Sequence, residues 1–193
     1  MEISELKNWI DCSQFVIESL RFDSSDRKVV SASFLHLSFE HHVSIYHLLK
    51  IGNHGSAFAL LRPQKEAFIK GIWLLRCAND EQVVKFMKED KLPAMKKLFR
   101  DVEQTKGYKH GYLSKHLNSI NDLLHDYTHG GSIQTSSRYQ GEKISSIYSQ
   151  GQQEWLMVQS KLLSFLSALE LCHVSDSPIE SKLITHVYGE TSP

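Results

Sequence analysis

Apolar residues recur at three- and four-residue steps from one end of the chain to the other, and strand-like alternation never holds for more than a few residues. The spacing predicts a first helix from about Ile3 to Arg21, with Leu6, Ile10, Phe15, Ile17 and Leu20 as its apolar contacts. Ser24-Ser25-Asp26 forms a capping signal ahead of a long second helix, about Arg27 to Ile51. That helix is apolar on several sides (Phe34, Leu35, Leu37, Phe39, Val43, Ile45, Leu48, Leu49), which predicts a central element. The stretch GNHGS ends it and opens a third helix from about Ser56 to Cys77.

Shorter helices are expected near 80–89 and 93–103, the second entered through Pro93 in its first turn. Beyond Gly107 and Gly111 comes another, about Leu113 to His129. The segment 130–150, GGSIQTSSRYQGEKISSIYSQ, is small and polar without a sustained period, and its first half is expected to be a mobile loop. A last long helix, Gln153 to His173, and a short one after Pro178 complete the pattern. With no internal repeat and no linker, residues 1–193 form a single domain. The fold class is all-α: an up-and-down bundle of four or five helices with short additional ones. Helices of this length are marginal alone, so a shared core must supply most of the stability.

Composition narrows the class. A chain of 193 residues, 41% hydrophobic and 23% charged, is long and apolar enough to bury a core. Twenty-two basic and 22 acidic side chains cancel, so overall charge announces no nucleic-acid partner. Cys12, Cys77 and Cys172 lie far apart without CxxC spacing, as expected of small core residues in a reducing compartment. The opening MEISELKNWID lacks the features of a secretory signal, and apolar runs such as LLSFLSALELC fall short of a membrane span. These features predict a cytoplasmic protein with no membrane partner.

Three polar stripes interrupt the apolar pattern. Arg62 and Glu66 sit four apart on the third helix, among Ala59, Ile69 and Trp73, with Pro63 between them expected to kink the axis. On the second helix His36, Glu40 and His47 share one side, either as a polar seam or as a plain solvent face. The third stripe is Asn118, Asp122, His125 and His129, opposite an apolar side of Leu113, Leu117, Ile120, Leu124 and Tyr127. It ends in LLHDYTHGG, where Gly130 suits the left-handed position that closes a helix. A histidine in a last helical turn faces unpaired carbonyls, so His129 is expected to be cationic more readily than a free imidazole. The plainer readings are an internal ion pair for Arg62–Glu66 and a simple helix end for His129.

Charge is uneven along the chain. Residues 85–116 carry nine basic side chains against four acidic, with Tyr108 and Tyr112 interleaved. Basic groups beside aromatics can track a phosphate backbone and stack bases, which makes Lys96, Lys97, Arg100, Lys109 and Tyr112, with Arg138, the candidate nucleic-acid contacts. A solvated face is the alternative. No phosphate loop, nucleophile elbow or HExxH motif is present, and Glu170 with His173 is a lone Glu-x-x-His. Should all three stripes converge, His36, Glu40, Glu66, His125 and His129 could supply a metal site.

The stretch GSAFALLRPQKEAFIKGIWLLRCA, followed about fifty residues on by LLHDYTHGG, resembles uncharacterised bacterial helical proteins of the HEPN-like group, some met among toxin and phage-defence genes. The resemblance covers roughly residues 30–135. It implies a four- or five-helix bundle, commonly dimeric, in a group where many members are metal-independent ribonucleases. The group's signature is an arginine followed after four to six residues by a histidine, and no arginine here has that spacing. Arg62 on one helix would have to act with His125 or His129 on another. Three functions are therefore in view. The first is an RNA- or nucleotide-directed domain, the effector of a toxin or defence system with an antitoxin or similar partner, in which Arg62, Glu66, His125 and His129 cut RNA without metal or cofactor. The second is a non-catalytic module that dimerises or binds a partner. The third is a metal-dependent enzyme using the same histidines and glutamates.

Overall fold

The computed structural model describes residues 3–109, 111–117 and 120–191, the side chains of Tyr112 and His116 excepted. Five longer helices make the packed body: α1 (Ile3–Ser19), α2 (Asp26–Lys50), α3 (His54–Arg76), α9 (Gln150–Val174) and α10 (Pro178–Glu190). Between α3 and α9 the chain makes a long excursion through α4 (Asp80–Glu89), α5 (Met95–Val102), α6 (Tyr112–Leu117), α7 (Asn121–His129) and α8 (Ser132–Ser136). A two-residue hairpin follows, β1 (Tyr139–Gln140) antiparallel to β2 (Lys143–Ile144). The all-α class read from the periodicity is what the chain adopts.

The α2–α3 pair forms the centre, with α9 packed against both and α1 and α10 against α9. Small residues set the spacing. A side chain on Gly71 of α3 would begin 2.8 Å from Leu35 Cγ and 3.2 Å from the Ser31 carbonyl, so glycine lets the helices close up. Between α2 and α9, Ser167 donates to Ser38 at 3.0 Å with both buried. Trp9 of α1 reaches Ser164 of α9 at 2.8 Å, giving its fully buried indole a partner. Capping boxes start α4 (Asn79 with Gln82) and α9 (Ser149 with Gln152).

Several expectations shift. Ser25 does occupy the N-cap of α2, but its hydroxyl makes no cap bond; instead the Asp23 carboxylate accepts from its amide at 3.0 Å. Phe15 is 76% exposed, outside the core, because the buried face of α1 follows Leu6, Trp9, Ile10, Ser13, Val16 and Ile17. α5 begins two residues after Pro93, and α3 runs unbroken through Pro63. The segment expected to be a loop holds α8 and the hairpin. α9 is long and apolar enough by composition to cross a membrane, longer than its sequence run suggested, yet one side of it carries buried Ser160, Lys161, Ser164, Ser167 and Glu170, each facing a neighbouring helix or its own backbone.

The expected helix from Leu113 to His129 is divided into α6 and α7. The buried Lys65 ammonium takes the Leu117 carbonyl at 3.3 Å and the Asn121 side-chain oxygen at 2.9 Å. In an uninterrupted helix that carbonyl would accept from the Asn121 amide, so Lys65 stabilises the break. The predicted apolar side survives it, with Leu113, Leu117, Leu124 and Tyr127 all buried.

Candidate functional site

Two of the three polar stripes meet. Tyr127 packs on Phe58 of α3 with ring centroids 4.6 Å apart and planes tilted by 36°, which lays α7 along α3. That packing brings His129 to Arg62 across 67 positions of sequence: Arg62 Nη1 lies 3.0 Å from His129 Nε2, while Arg62 Nε donates to Glu66 at 2.9 Å. His125 and His129 are side by side, ring centroids 4.4 Å apart, and both are exposed. Arg62 and Glu66 are half-buried, their side chains 27% and 29% accessible. An arginine can only donate, so His129 Nε2 presents its lone pair and the ring's proton sits on Nδ1.

The glycine pair after His129 has two separate jobs. Gly130 closes α7 in the left-handed region at φ +69°, as the sequence predicts. Gly131 makes room for Asp126, whose carboxylate accepts from the Ile133 and Gln134 amides at 3.1 and 2.9 Å and so caps α8. Asn118, the first residue of this stripe, lies outside the described residues.

Beside Arg62 opens a cleft of about 360 Å³ lined by Arg62, Lys65, Glu66, Met95, Lys96, Phe99, Asn121 and Asp122. Burial lowers the Lys65 ammonium to about 8, with the Arg62 charge adding to the effect and Glu66 opposing it. Lys65 was not singled out from sequence, although a signal existed. It lies in phase with Leu61, Phe68 and Ile72, a lysine on the side of α3 that must be buried.

Of the candidate nucleic-acid contacts, only Lys96 lines this cleft among the described residues. Lys96, Lys97 and Arg100 line an adjoining groove of about 500 Å³. Lys97 is paired with Asp101 at 2.5 Å, and Arg100 lies 3.8 Å from the same carboxylate. Arg138 sits over Gly55 at the start of α3, where a Cβ would meet its guanidinium at 2.1 Å. Lys109 is exposed on the segment after α5, and the Tyr112 side chain lies outside the described residues. Tyr108 is not available for stacking, because it is buried and its hydroxyl donates to Glu170 at 2.7 Å.

The second stripe stays apart. His36 and Glu40 line a groove between α1 and α2 with Glu18 and Phe22, and His47 is exposed near the end of α2. They are a solvent face, whereas Asp122 of the third stripe lines the Arg62 cleft. Because the three stripes do not converge, no group of three or more His, Cys, Asp or Glu side chains is placed to hold a metal ion among the described residues. Burial pushes the thiols of Cys77 and Cys172 up to about 11, away from nucleophilic thiolate character.

Two further polar clusters form, and of their members the sequence paired only Glu170 with His173. Arg76 of α3 holds Glu170 of α9, with Tyr108 and His173 beside them, around a cleft of about 420 Å³. In the core, His42 Nδ1 meets Ser160 at 2.8 Å, Ser160 donates to Gln64 at 2.7 Å, and Gln64 donates back to the Ser160 carbonyl at 2.9 Å. The shared serine proton goes to Gln64, so His42 donates from Nδ1.

Fold and site together define an all-α protein that presents an arginine–glutamate–histidine cluster beside a basic cleft. Residues 35–192 match the model of the family of unknown function DUF6988, and the chain belongs to that family. No curated protein and no solved structure matches the chain.

Proposed function

We propose that this is an RNA- or nucleotide-directed HEPN-like domain, a cytoplasmic toxin or defence effector that cuts RNA without a metal. The observation that carries the reading is the contact of Arg62 with His129, made between two helices and flanked by Glu66 and His125. A fixed guanidinium next to two exposed imidazoles is a phosphate anchor with a base and an acid in reach. In the free protein Arg62 occupies the His129 lone pair. A backbone phosphate, a better acceptor for the guanidinium, would take its place and release Nε2.

The released Nε2 takes the proton of a ribose 2′-hydroxyl as that oxygen bonds to phosphorus. The bond from phosphorus to the 5′-oxygen breaks, and His125 in its protonated form gives that oxygen a proton. The products are a 2′,3′-cyclic phosphate and a 5′-hydroxyl, and water carries the proton from His129 back to His125. Arg62, held by Glu66, stabilises the charge building on the phosphoryl oxygens. Lys96, Lys97 and Arg100 on one side and Arg138 on the other would hold the strand.

The test is incubation of a mixed RNA pool with purified protein in EDTA, comparing wild type with His129→Ala and Arg62→Ala. Cutting that survives EDTA and is lost in both variants supports the reading, and an inactive wild type at high concentration overturns it. A second reading, a non-catalytic module that binds a second copy of itself, is favoured by Ile179 and Leu183, a turn apart on α10 and 77% and 44% exposed. Light scattering of wild type and Ile179→Asp tests it: a dimer that the variant breaks, without RNA cutting, would select this reading.

A further inference from the structure

The cleft beside Arg62 has a pattern of donors and acceptors that its size and charge alone do not explain. At about 360 Å³ it sits at the small end of ligand pockets, with room for one nucleoside and not for a stacked pair. Arg62 and Lys96 supply positive charge at its edge, and Met95 and Phe99 an apolar wall. Two neighbours at the start of α7 supply the polar rim. A lysine can only donate, so the bond from Lys65 to Asn121 fixes that amide with its oxygen inward and leaves its NH2 group as the free end. The adjacent Asp122 carboxylate offers acceptors only, is exposed, and has no ion-pair partner among the described residues.

We infer that this cleft is a subsite for guanosine, on the nucleotide adjoining the phosphate that Arg62 anchors. The guanine edge presents one acceptor, O6, followed by two adjacent donors, N1–H and the 2-amino group. The Asn121 NH2 group matches the first and the Asp122 carboxylate takes the other two together. Adenine, cytosine and uracil each offer a single donor beside an acceptor on that edge, so each makes one bond fewer with this pair. The inference rests on Arg62 as a phosphate anchor and adds base preference to it: cleavage would fall next to guanosine.

The experiment is calorimetric titration of the intact protein with the 3′-monophosphates of guanosine, adenosine, cytidine and uridine, and with inorganic phosphate. Guanosine 3′-monophosphate is expected to bind about tenfold tighter than the uridine nucleotide, the scale of one bidentate base contact. Asp122→Asn, an exposed substitution, should level the ranking. Asn121→Asp keeps a partner for Lys65 but removes a donor that an acceptor on every base can use, and should weaken all four nucleotides while guanosine stays first. Lys96→Ala should weaken all four nucleotides alike. Equal binding of guanosine and uridine nucleotides, nucleotides no tighter than phosphate, or a ranking that survives Asp122→Asn in folded protein would each overturn the inference. A guanosine ranking without any RNA cutting upholds the subsite and removes the ribonuclease; cutting beside every base alike does the reverse.

Discussion

One terminal nitrogen of Arg76 reaches both carboxylate oxygens of Glu170, at 2.7 and 2.5 Å, tying α3 to α9. Glu170 is buried, its side chain only 4% accessible, whereas that of Arg76 is 25% accessible. Burial pushes the Glu170 carboxyl up, but its contacts with His173, Arg76 and Tyr108 outweigh this and hold it below its ordinary value of 4.5. His173 is raised above 6.5 by Glu170. A depressed carboxyl contributes stability above its unfolded value and loses it as pH falls. A raised imidazole contributes below its unfolded value and loses it as pH rises. The cluster is therefore strongest between about 4.5 and 6.5. Glu170→Ala should cost about 3 kcal/mol in urea denaturation, the low end for a broken buried pair because Arg76 keeps some solvent. His173→Gln should flatten the loss of stability above pH 6.5, and an unchanged slope would exclude His173 from the coupling.

His42 predicts acid lability. It is fully buried, and burial with the nearby Lys161 charge lowers it to about 3, so the folded protein holds it neutral. An unfolded chain takes up that proton near 6.5, and the stability present above this value is lost as pH falls toward 3. The slope from this one group is about 1.4 kcal/mol per pH unit. Denaturant midpoints measured from pH 7 to 4 should fall less steeply in His42→Gln than in wild type, whatever the variant's stability at neutral pH.

Gly131 and Gly130 should fail for different reasons. A Cβ on Gly131 would lie 2.2 Å from an Asp126 oxygen and 2.5 Å from its Cγ, so the carboxylate must leave the α8 amides. Gly131→Ala is expected to cost about 1–2 kcal/mol through the lost cap. Gly130→Ala meets no such neighbour and should cost about 1 kcal/mol through its positive φ. In the double variant Gly131→Ala, Asp126→Ala the first cost should largely overlap with that of Asp126→Ala alone, since both remove one contact. Additive melting-point losses would contradict the cap.

Arg62→Lys separates geometry from charge. A lysine keeps the positive charge, but one ammonium on a single stem cannot reproduce the fork that bonds Glu66 and His129 together. Under the proposed ribonuclease function, RNA cutting should drop by about 100-fold or more in kcat, the scale of a lost transition-state donor, with a smaller change in KM. A variant as active as wild type would mean that only charge is needed at this position.

Much of this was legible in the chain and some was not. The step-four spacing of Arg62 with Glu66 and of His125 with His129 put each pair on one helical face, and Gly130 marked where α7 stops. Nothing local said that the two faces meet. The second stripe shows the same limit from the other side, since His36 and Glu40 have equally good spacing and face solvent between α1 and α2. Lys65 was hidden because a lysine in a helical pattern is normally a surface residue, and its burial depends on Leu117 and Asn121 arriving from more than fifty positions away. The division of α6 from α7 follows from that same distant bond.

Periodicity by itself determined the all-α class and the approximate bounds of the long helices, because backbone hydrogen bonding and an apolar stripe at 3.6-residue spacing are local properties. It also determined the glycine stop after His129, a matter of one residue's backbone freedom. Tertiary structure alone decided which stripes converge, which histidines are buried, and which charged side chains find partners. Those outcomes depend on how helices far apart in sequence pack, and a contact such as Arg62 with His129 exists only once Tyr127 has docked on Phe58.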